Sequence, residues 1–308
     1  MGMGFVLGLV SSATFGLIPL FSLPLLHAGF SAATTLFYRF AIAALSLGII
    51  LALRHERFAL RGIDVCKLAG LSSMYMLAAL LLFWAFSHLP SGVAATLQFL
   101  YPVMVMLIMV GFFGERFVCT TFLAILLSIA GVGMLSSGGG AEGKALNWLG
   151  VGMMLLSALC NALYIVGLQI ARIPNASGLM LTFYVMLCSA LLSLANALGS
   201  GSFQLLTRPQ DMGMAVLLAL ITAVISNWTL ILAIQHIGST LASVLGVLEP
   251  LTAVLVGILV FGEPFSPALA GGVSLIIAAV LLVMLGRQIS TLWTRLRTGL
   301  TAFRTPSR

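Results

Sequence analysis

Charged residues are scarce in this 308-residue chain, and that scarcity decides its class. Only 7% of the residues are charged, whereas 61% are hydrophobic, and the mean hydropathy is +1.19. A soluble domain needs far more charge on its surface, but a bilayer solvates an apolar outer face directly. The composition therefore excludes a soluble globular protein and predicts an all-α integral membrane protein, because helices satisfy their own backbone hydrogen bonds in lipid.

Long polar segments are also missing. The longest are residues 54–67, residues 136–147 and the tail after residue 286, and none of them is long enough to bury a core of its own. The net charge of +7 comes mainly from basic residues at span ends and in the tail, where such residues orient helices in the membrane. We therefore expect the lipid bilayer as a partner and exclude nucleic acid.

The motifs of catalysis and cofactor binding are absent from the sequence. The four cysteines have no CxxC spacing, and Cys160 and Cys188 lie within apolar runs, as buried thiols do. No metal-ligand cluster, catalytic triad, Walker loop or nucleotide fingerprint occurs. The sequence therefore predicts no cofactor, no metal and no enzymatic activity. The alternative of a membrane-embedded enzyme acting on a lipid or quinone would need clustered acids, histidines or a metal site.

Ten apolar runs can be separated at polar residues and at Gly or Pro. About 20 apolar residues span the hydrocarbon core, so we predict ten transmembrane helices. Their approximate ranges are 3–26, 33–53, 67–87, 91–113, 118–136, 148–171, 178–198, 213–235, 239–261 and 268–286. The first run has no basic segment before it and no convincing cleavage site, so we interpret it as a retained span rather than a signal peptide.

The distribution of Lys and Arg predicts how these spans are oriented. With the N-terminus inside, the inside loops and the tail hold eleven basic residues, whereas the outside loops hold only Lys144 and Arg208. Arg39 lies within the second span and completes the total of 14. By the positive-inside rule, we expect a bacterial-type inner membrane with both termini in the cytoplasm.

An internal repeat covers much of the chain. When the chain is shifted by 148 residues, residues 85–117 align without a gap on residues 233–265, and 12 of the 33 pairs are identical. The matches include His88 with His236 and Pro102 with Pro250, which shared apolar composition would not produce. The earlier spans repeat more weakly, at a shift of 146 that aligns residues 37–38 with residues 183–184.

The repeat predicts four segments: residues 1–137 as a first five-helix repeat, residues 138–147 as an outside linker, residues 148–286 as a second five-helix repeat and residues 287–308 as a basic cytoplasmic tail. An odd number of spans makes the second copy enter the membrane from the opposite side. Inverted repeats are the architecture of many secondary transporters. The Gly4-x-x-x-Gly8 pattern is a weak signal for helix dimers, so we leave open a monomer or a weak homodimer.

The repeated pattern resembles the two EamA repeats of the drug/metabolite transporter superfamily. The specific element is a Pro-x11-Gly-Glu spacing in each half, which starts at Pro102 and at Pro250. The resemblance covers roughly residues 5–285 and implies a ten-span exporter or exchanger of small organic metabolites, amino acids or drugs. The first span departs from the expected pattern, because Phe15-Gly16 stands where a Trp-Gly pair would be expected.

Ionisable residues inside spans are candidates for function, because burying a charge in hydrocarbon is costly. Glu249 is the only acid that lies mid-span. It could bind and release a proton, which makes protons a candidate partner, or it could pair with a cationic substrate group. Arg39 is the only base inside a span. It could bind a substrate carboxylate, or it could snorkel to the surface or cap a helix end.

Spans four and nine carry further candidates. Pro102 and Pro250 lie near the middle of these spans, where a missing backbone donor predicts kinks and hinges. Gln98 and Tyr101 lie on a polar stripe of span four, and the repeat aligns Tyr101 with Glu249, so we expect the two to face each other. Small residues on span nine, such as Gly246, could instead serve close helix packing.

Polar and aromatic residues in the other spans complete the predicted cavity wall. Each has an alternative structural role, in interhelical hydrogen bonding for the Asn residues and in packing or interface anchoring for the aromatic ones. These residues are Tyr75, Trp84, Asn161, Tyr164, Asn227 and Trp228.

The sequence thus predicts a secondary transporter that works by alternating access on a small-molecule substrate. One intramembrane acid and one intramembrane base fit an amino-acid exporter. An exporter of organic cations or lipophilic drugs is the alternative, with Glu249 and aromatic residues around the cation. A channel or a purely structural protein is less consistent with kinked inverted repeats, and the absence of an ATP-binding part favours a carrier driven by gradients.

Overall fold

The structure is a computed structural model that describes residues 2–55, 60–88, 94, 97–114, 119–138, 148–171, 173, 176–261, 267, 270–272, 274–275, 277–279 and 281–282. The predicted linker from residue 139 onward and the predicted tail lie outside these residues. All regular elements in the described part are helical. They are α1 (Gly2–Phe15), α2 (Ile18–His27), α3 (Ala32–Leu53), α4 (Gly62–Ala85), α5 (Tyr101–Phe113), α6 (Cys119–Gly138), α7 (Trp148–Ala171), α8 (Gly178–Gly199), α9 (Pro209–Ala219), a π-helical segment (Leu220–Ile225), α10 (Ser226–Ile237), α11 (Ser239–Val244), a 3₁₀ turn (Leu245–Val247) and α12 (Leu248–Phe261).

Seven stretches of helix are long and apolar enough to cross a membrane. They are Gly2–His27, Ala32–Leu53, Gly62–Ala85, Leu149–Ala171, Gly178–Gly199, Pro209–Ile237 and Ser239–Val260. Each corresponds in position to one of the predicted spans. Shorter apolar helices, Tyr101–Phe113, Phe122–Gly131 and Ala270–Ala279, lie where the other three spans were predicted.

Three of the seven stretches are interrupted near their middle. The first is divided into α1 and α2 at Gly16 and Leu17. The eighth predicted span contains the π-helical segment between α9 and α10, and the ninth contains the 3₁₀ turn between α11 and α12. Interrupted helices expose backbone polar groups, which lipid cannot satisfy, so such breaks occur where protein or a cavity surrounds them.

Pro102 and Pro250 lie at helix starts rather than in helix interiors. Pro102 lies in the first turn of α5, directly after a turn at Phe99 and Leu100. Pro250 lies in the first turn of α12, directly after the 3₁₀ turn. A proline in the first turn costs no helical hydrogen bond, because the first amide groups have no helical partner. The two repeat-related prolines therefore mark two similar helix breaks.

The pairs of helices that pack against each other are the pairs expected if a twofold axis relates the two repeats. The spans α3 and α8 occupy equivalent places in the two repeats, and they pack along each other. The pair α4–α7 and the pair α1–α10 are also in extensive contact, and a twofold axis would exchange one of these pairs for the other. The core of the molecule is therefore built between the repeats rather than within each of them.

Two observations explain the close approach of α1 to the second repeat. A Cβ atom on Gly4 would overlap Ile237, and one on Gly8 would overlap Leu245. Glycine lets the helices approach closely at both places, because a Cβ atom would force the neighbouring side chains to shift. The Gly4-x-x-x-Gly8 pattern thus serves packing within the chain.

Candidate functional site

A cavity lies among the interrupted helices and draws its lining from both repeats. Its walls come from α1, α2, α3, α4, α7, α10, α11 and α12, together with the residues around the start of α5. The cavity volume is about 60 Å³, which is room for a few water molecules or a small solute. Six residues that the sequence predicted as site residues line it: Arg39, Tyr75, Gln98, Tyr101, Asn161 and Glu249.

Arg39 is fixed by a backbone carbonyl of the π-helical segment. Its side chain is only 1% exposed, and Nη2 donates a hydrogen bond of 2.8 Å to the carbonyl oxygen of Thr222. The guanidinium also lies 5.5 Å from the centre of the Phe40 ring. Its Nε has no hydrogen-bond partner among the described residues. Arg39 therefore binds a carbonyl inside a helical stretch rather than at a helix end, and it also lines the cavity.

Glu249 reaches the cavity from the first turn of α12. In the described part of the chain it forms no ion pair with Arg39, so the two charges stand separately at the cavity wall. The backbone at this point packs against the break in the first span, because a Cβ atom on Gly16 would overlap the carbonyl oxygen of Glu249. The first and ninth predicted spans therefore meet at Glu249.

Tyr101 crosses over the 3₁₀ turn of the ninth predicted span. Its hydroxyl lies where a Cβ atom on residue 246 would be, so that only glycine fits there. Gly246 lies three residues before Glu249, and Tyr101 and Glu249 line the same cavity. The repeat alignment pairs Gln98 with Gly246. The side chain that Gln98 has in one half is therefore missing in the other half, where the Tyr101 hydroxyl takes up the space beside Gly246.

An aromatic cluster stands behind one wall. The Tyr75 hydroxyl accepts a hydrogen bond of 2.8 Å from Nδ2 of Asn227, and Asn227 also donates to the Ala223 carbonyl oxygen. The ring of Tyr75 lies 4.8 Å from that of Tyr164 and 5.6 Å from that of Phe40. Tyr75 lines the cavity, whereas Asn227 and Tyr164 lie behind it and hold it in place.

The two predicted tryptophans are placed elsewhere. Trp84 is 43% exposed at the end of α4 and does not belong to the cavity lining. Trp228 lies on α10, where the guanidinium of Arg54 is 5.9 Å from its ring. Both positions are typical of tryptophan at a lipid or interfacial surface, where the ring covers apolar area and the indole N–H can reach water.

Sequence reasoning missed the contribution of the first span. Ser11 and Ser12 line the cavity. The hydroxyl of Ser11 donates to the Ser226 carbonyl oxygen at 2.8 Å, and the hydroxyl of Ser226 donates to the Ser11 carbonyl oxygen at 2.9 Å. Adjacent serines in the middle of an apolar run were the available signal, because each hydroxyl in a span must find a partner or face a cavity.

Three buried polar atoms of the lining have no hydrogen-bond partner among the described residues: Ser12 Oγ, Arg39 Nε and Gln98 Oε1. Two of them can donate a hydrogen bond and one can only accept. Within the described residues, no three His, Cys, Asp or Glu side chains come together as a metal site. The arrangement is therefore a mostly apolar cavity whose wall carries a few polar groups.

Comparisons with known proteins agree with this architecture. A family model described as the EamA-like transporter family matches residues 2–137 and, separately, residues 148–285. Comparison with curated proteins gives no match. A solved structure described only as the crystal structure of a protein is similar, with a TM-score of 0.79 and 18% identity over 94% of this chain and 99% of the other. At that identity, the likeness shows a common fold.

Proposed function

The chain belongs to the EamA-like transporter family, and from this membership we propose that it is a secondary transporter of small organic metabolites that works by alternating access. Members of the family are transporters rather than enzymes. One observation carries the proposal. A cavity with a few polar and ionisable side chains in its wall lies between the two repeats, at the place where their helices are interrupted. Discontinuous helices near the repeat interface are a recurrent way to build substrate sites in such carriers.

The charges of the cavity favour amino acids as substrates. Arg39 and Glu249 both line it without pairing with each other in the described part of the chain. A zwitterion offers each of them a partner of opposite charge. The distribution of basic residues favours a bacterial-type inner membrane with both termini in the cytoplasm. Export as the net direction is proposed from the resemblance to exporter-type members of the family.

A second substrate class is supported by the aromatic residues at the cavity. Tyr75 and Tyr101 line it together with Glu249. Aromatic faces and a carboxylate bind organic cations, so cationic or lipophilic drugs are the alternative substrates. Such a substrate has no anionic group with which the guanidinium of Arg39 could pair.

Counterflow in proteoliposomes tests the proposal. Vesicles containing the purified protein are loaded with a mixed pool of unlabelled amino acids, and the uptake of each labelled amino acid is followed. We expect saturable uptake that requires the internal pool. Exchange of quaternary ammonium compounds but not of amino acids would move the assignment to the second class. A flux that does not saturate and does not need an internal solute would contradict a carrier.

A further inference from the structure

The cavity wall carries both hydrogen-bond donors and a hydrogen-bond acceptor that have no partner among the described residues. Together they indicate which chemical groups a bound ligand would need. Leaving a buried donor or acceptor without a hydrogen bond costs about 1–3 kcal/mol, so such atoms at a cavity wall are suited to a bound molecule. Four other buried hydroxyls also have no hydrogen-bond partner among the described residues, and none of them lines the cavity: Ser22, Tyr164, Ser193 and Ser239. Ser12, Arg39 and Gln98 differ from them because they share one cavity.

Two of these groups suit an anion. Arg39 Nε is a charged donor whose guanidinium is already held in place by the Thr222 carbonyl, so its orientation does not need to be fixed by the ligand. The Ser12 hydroxyl is a second donor. A carboxylate accepts such pairs of hydrogen bonds, and bonds in which a partner is charged are the stronger ones.

The other groups suit a cation with N–H donors. Gln98 is 6% exposed, and its Oε1 can only accept a hydrogen bond. Glu249 adds a carboxyl group to the same wall. An ammonium group carries three donors and a positive charge, which both of these groups can use.

We propose that the cavity is a two-ended site for a small α-amino acid, in which Arg39 and Ser12 bind the carboxylate while Gln98 and Glu249 bind the ammonium group. This assignment rests on the proposed transport function and names its substrate class. A small side chain suits the site, because the Tyr101 hydroxyl fills the space beside Gly246 in the cavity wall. Alanine is the natural probe.

The first experiment compares alanine with two molecules that each lack one end. Binding of labelled L-alanine to the purified full-length protein in lipid nanodiscs is measured in competition with unlabelled alanine, propionate and ethylamine. Propionate keeps the carboxylate and lacks the ammonium group, and ethylamine is the reverse. We expect each of them to compete at least about tenfold more weakly than alanine, since each forfeits charge-assisted hydrogen bonds.

The second experiment assigns the two ends with variants that spare the Arg39–Thr222 contact. Gln98→Leu removes the acceptor and should weaken alanine about tenfold while leaving propionate unchanged. Ser12→Ala should weaken alanine and propionate by the same factor and leave ethylamine unchanged. Ser22→Ala and Ser193→Ala are matched controls, because they remove buried hydroxyls that lie outside the cavity and have no partner in the described part of the chain. They should bind all three probes as the wild type does.

The results of these binding experiments and of counterflow show separately whether the two-ended site or the proposed transport is wrong. Equal competition by alanine, propionate and ethylamine would overturn the two-ended site, and so would a loss of alanine binding of the same size in the Ser22→Ala control. Counterflow of organic cations without binding of alanine would also overturn it, while leaving the carrier in place. Binding of alanine without exchange of any solute would instead overturn the proposed transport.

Discussion

Glu249 is the one acidic side chain that lines the cavity in the described part of the chain. Its carboxyl group can bind and release a proton, or can offset a positive charge on a substrate, and an amide of the same shape can do neither. We expect Glu249→Gln to slow counterflow at least about tenfold, the loss that follows when one charge-assisted contact is removed, and to abolish the dependence of the remaining rate on pH.

The control for this substitution is Asp211→Asn, which removes a carboxylate from the first turn of α9 at a span end. Its rates should match those of the wild type. Rates are measured in proteoliposomes at several pH values with the same pH on both sides. If Glu249→Gln exchanges substrate at the wild-type rate over the whole pH range, the role proposed for this residue is wrong.

Gly246 has no room for a side chain, because the Tyr101 hydroxyl lies beside it. A Cβ atom there would overlap the Tyr101 hydroxyl, and overpacking of this kind typically costs about 1–3 kcal/mol. We expect Gly246→Ala to reduce counterflow strongly and Tyr101→Phe to recover part of it in the double variant, because removing the hydroxyl frees space. Gly152→Ala is the matched control, since that helical glycine has open space around it, and it should transport normally.

Residues of the cavity could be predicted where a charged or polar side chain interrupts an apolar run. Glu249 and Arg39 are charged, and Gln98, Tyr101, Tyr75 and Asn161 are polar, so each stands out in the sequence. The partner of Arg39 could not be predicted, because it is a backbone carbonyl that every residue possesses. The tryptophans could not be placed either, since an aromatic side chain suits a lipid surface as well as a cavity.

At the scale of helices, the paired prolines suggest a mechanical role. Pro102 and Pro250 each begin a helix directly after a break, so alanine there would let α5 and α12 grow backwards through the break. We expect Pro102→Ala and Pro250→Ala to slow counterflow several-fold with little loss of thermal stability, because a first-turn proline contributes no helical hydrogen bond.

Pro209→Ala provides the matched control for this pair. Pro209 also lies in the first turn of a helix, α9, but at a span end rather than at the cavity. It should leave both stability and counterflow unchanged. Equal slowing in all three variants would indicate a general effect of helix starts and would contradict a hinge at the cavity.

Arg39 binds the π-helical segment at Thr222, and the reciprocal bonds of Ser11 and Ser226 lie directly after the segment. Hydrogen bonds between membrane helices average about 0.6 kcal/mol. We therefore expect Ser226→Ala to lower the midpoint of thermal unfolding slightly, and Ser11→Ala with Ser226→Ala to lower it further. Thr229→Ala is the control, since its hydroxyl bonds only within α10 and its preceding turn, and it should have a smaller effect.

This segment was absent from the predicted architecture, although the sequence held a sign of it. The offset between the repeats changes from 146 at Tyr38 to 148 at Ala85, so the second repeat has extra residues somewhere before Ala233. A π-helical turn accommodates one residue more than an α-helical turn. Hydropathy does not reveal such a change, because an inserted apolar residue leaves the run as apolar as before.

At the scale of the whole molecule, the packing of α3 on α8 and the exchange-related pairs α4–α7 and α1–α10 agree with a twofold relation between the repeats. That relation could be anticipated from the repeat in the sequence, since equivalent residues adopt equivalent structures. The membrane orientation of each repeat is a separate matter, because the direction of a span relative to the bilayer depends on charge and on the number of spans before it.

Arg61 and Arg208 provide a matched test of that orientation. Each is an exposed residue that precedes an equivalent helix, α4 or α9, in an extended backbone conformation. In a variant with all four native cysteines replaced, Arg61→Cys and Arg208→Cys are each labelled with a membrane-impermeant maleimide. We expect Arg61→Cys to react only in inside-out vesicles and Arg208→Cys only in right-side-out vesicles. Labelling of both from the same side would mean that the repeats run parallel, and a carrier built on two inverted halves would then be excluded.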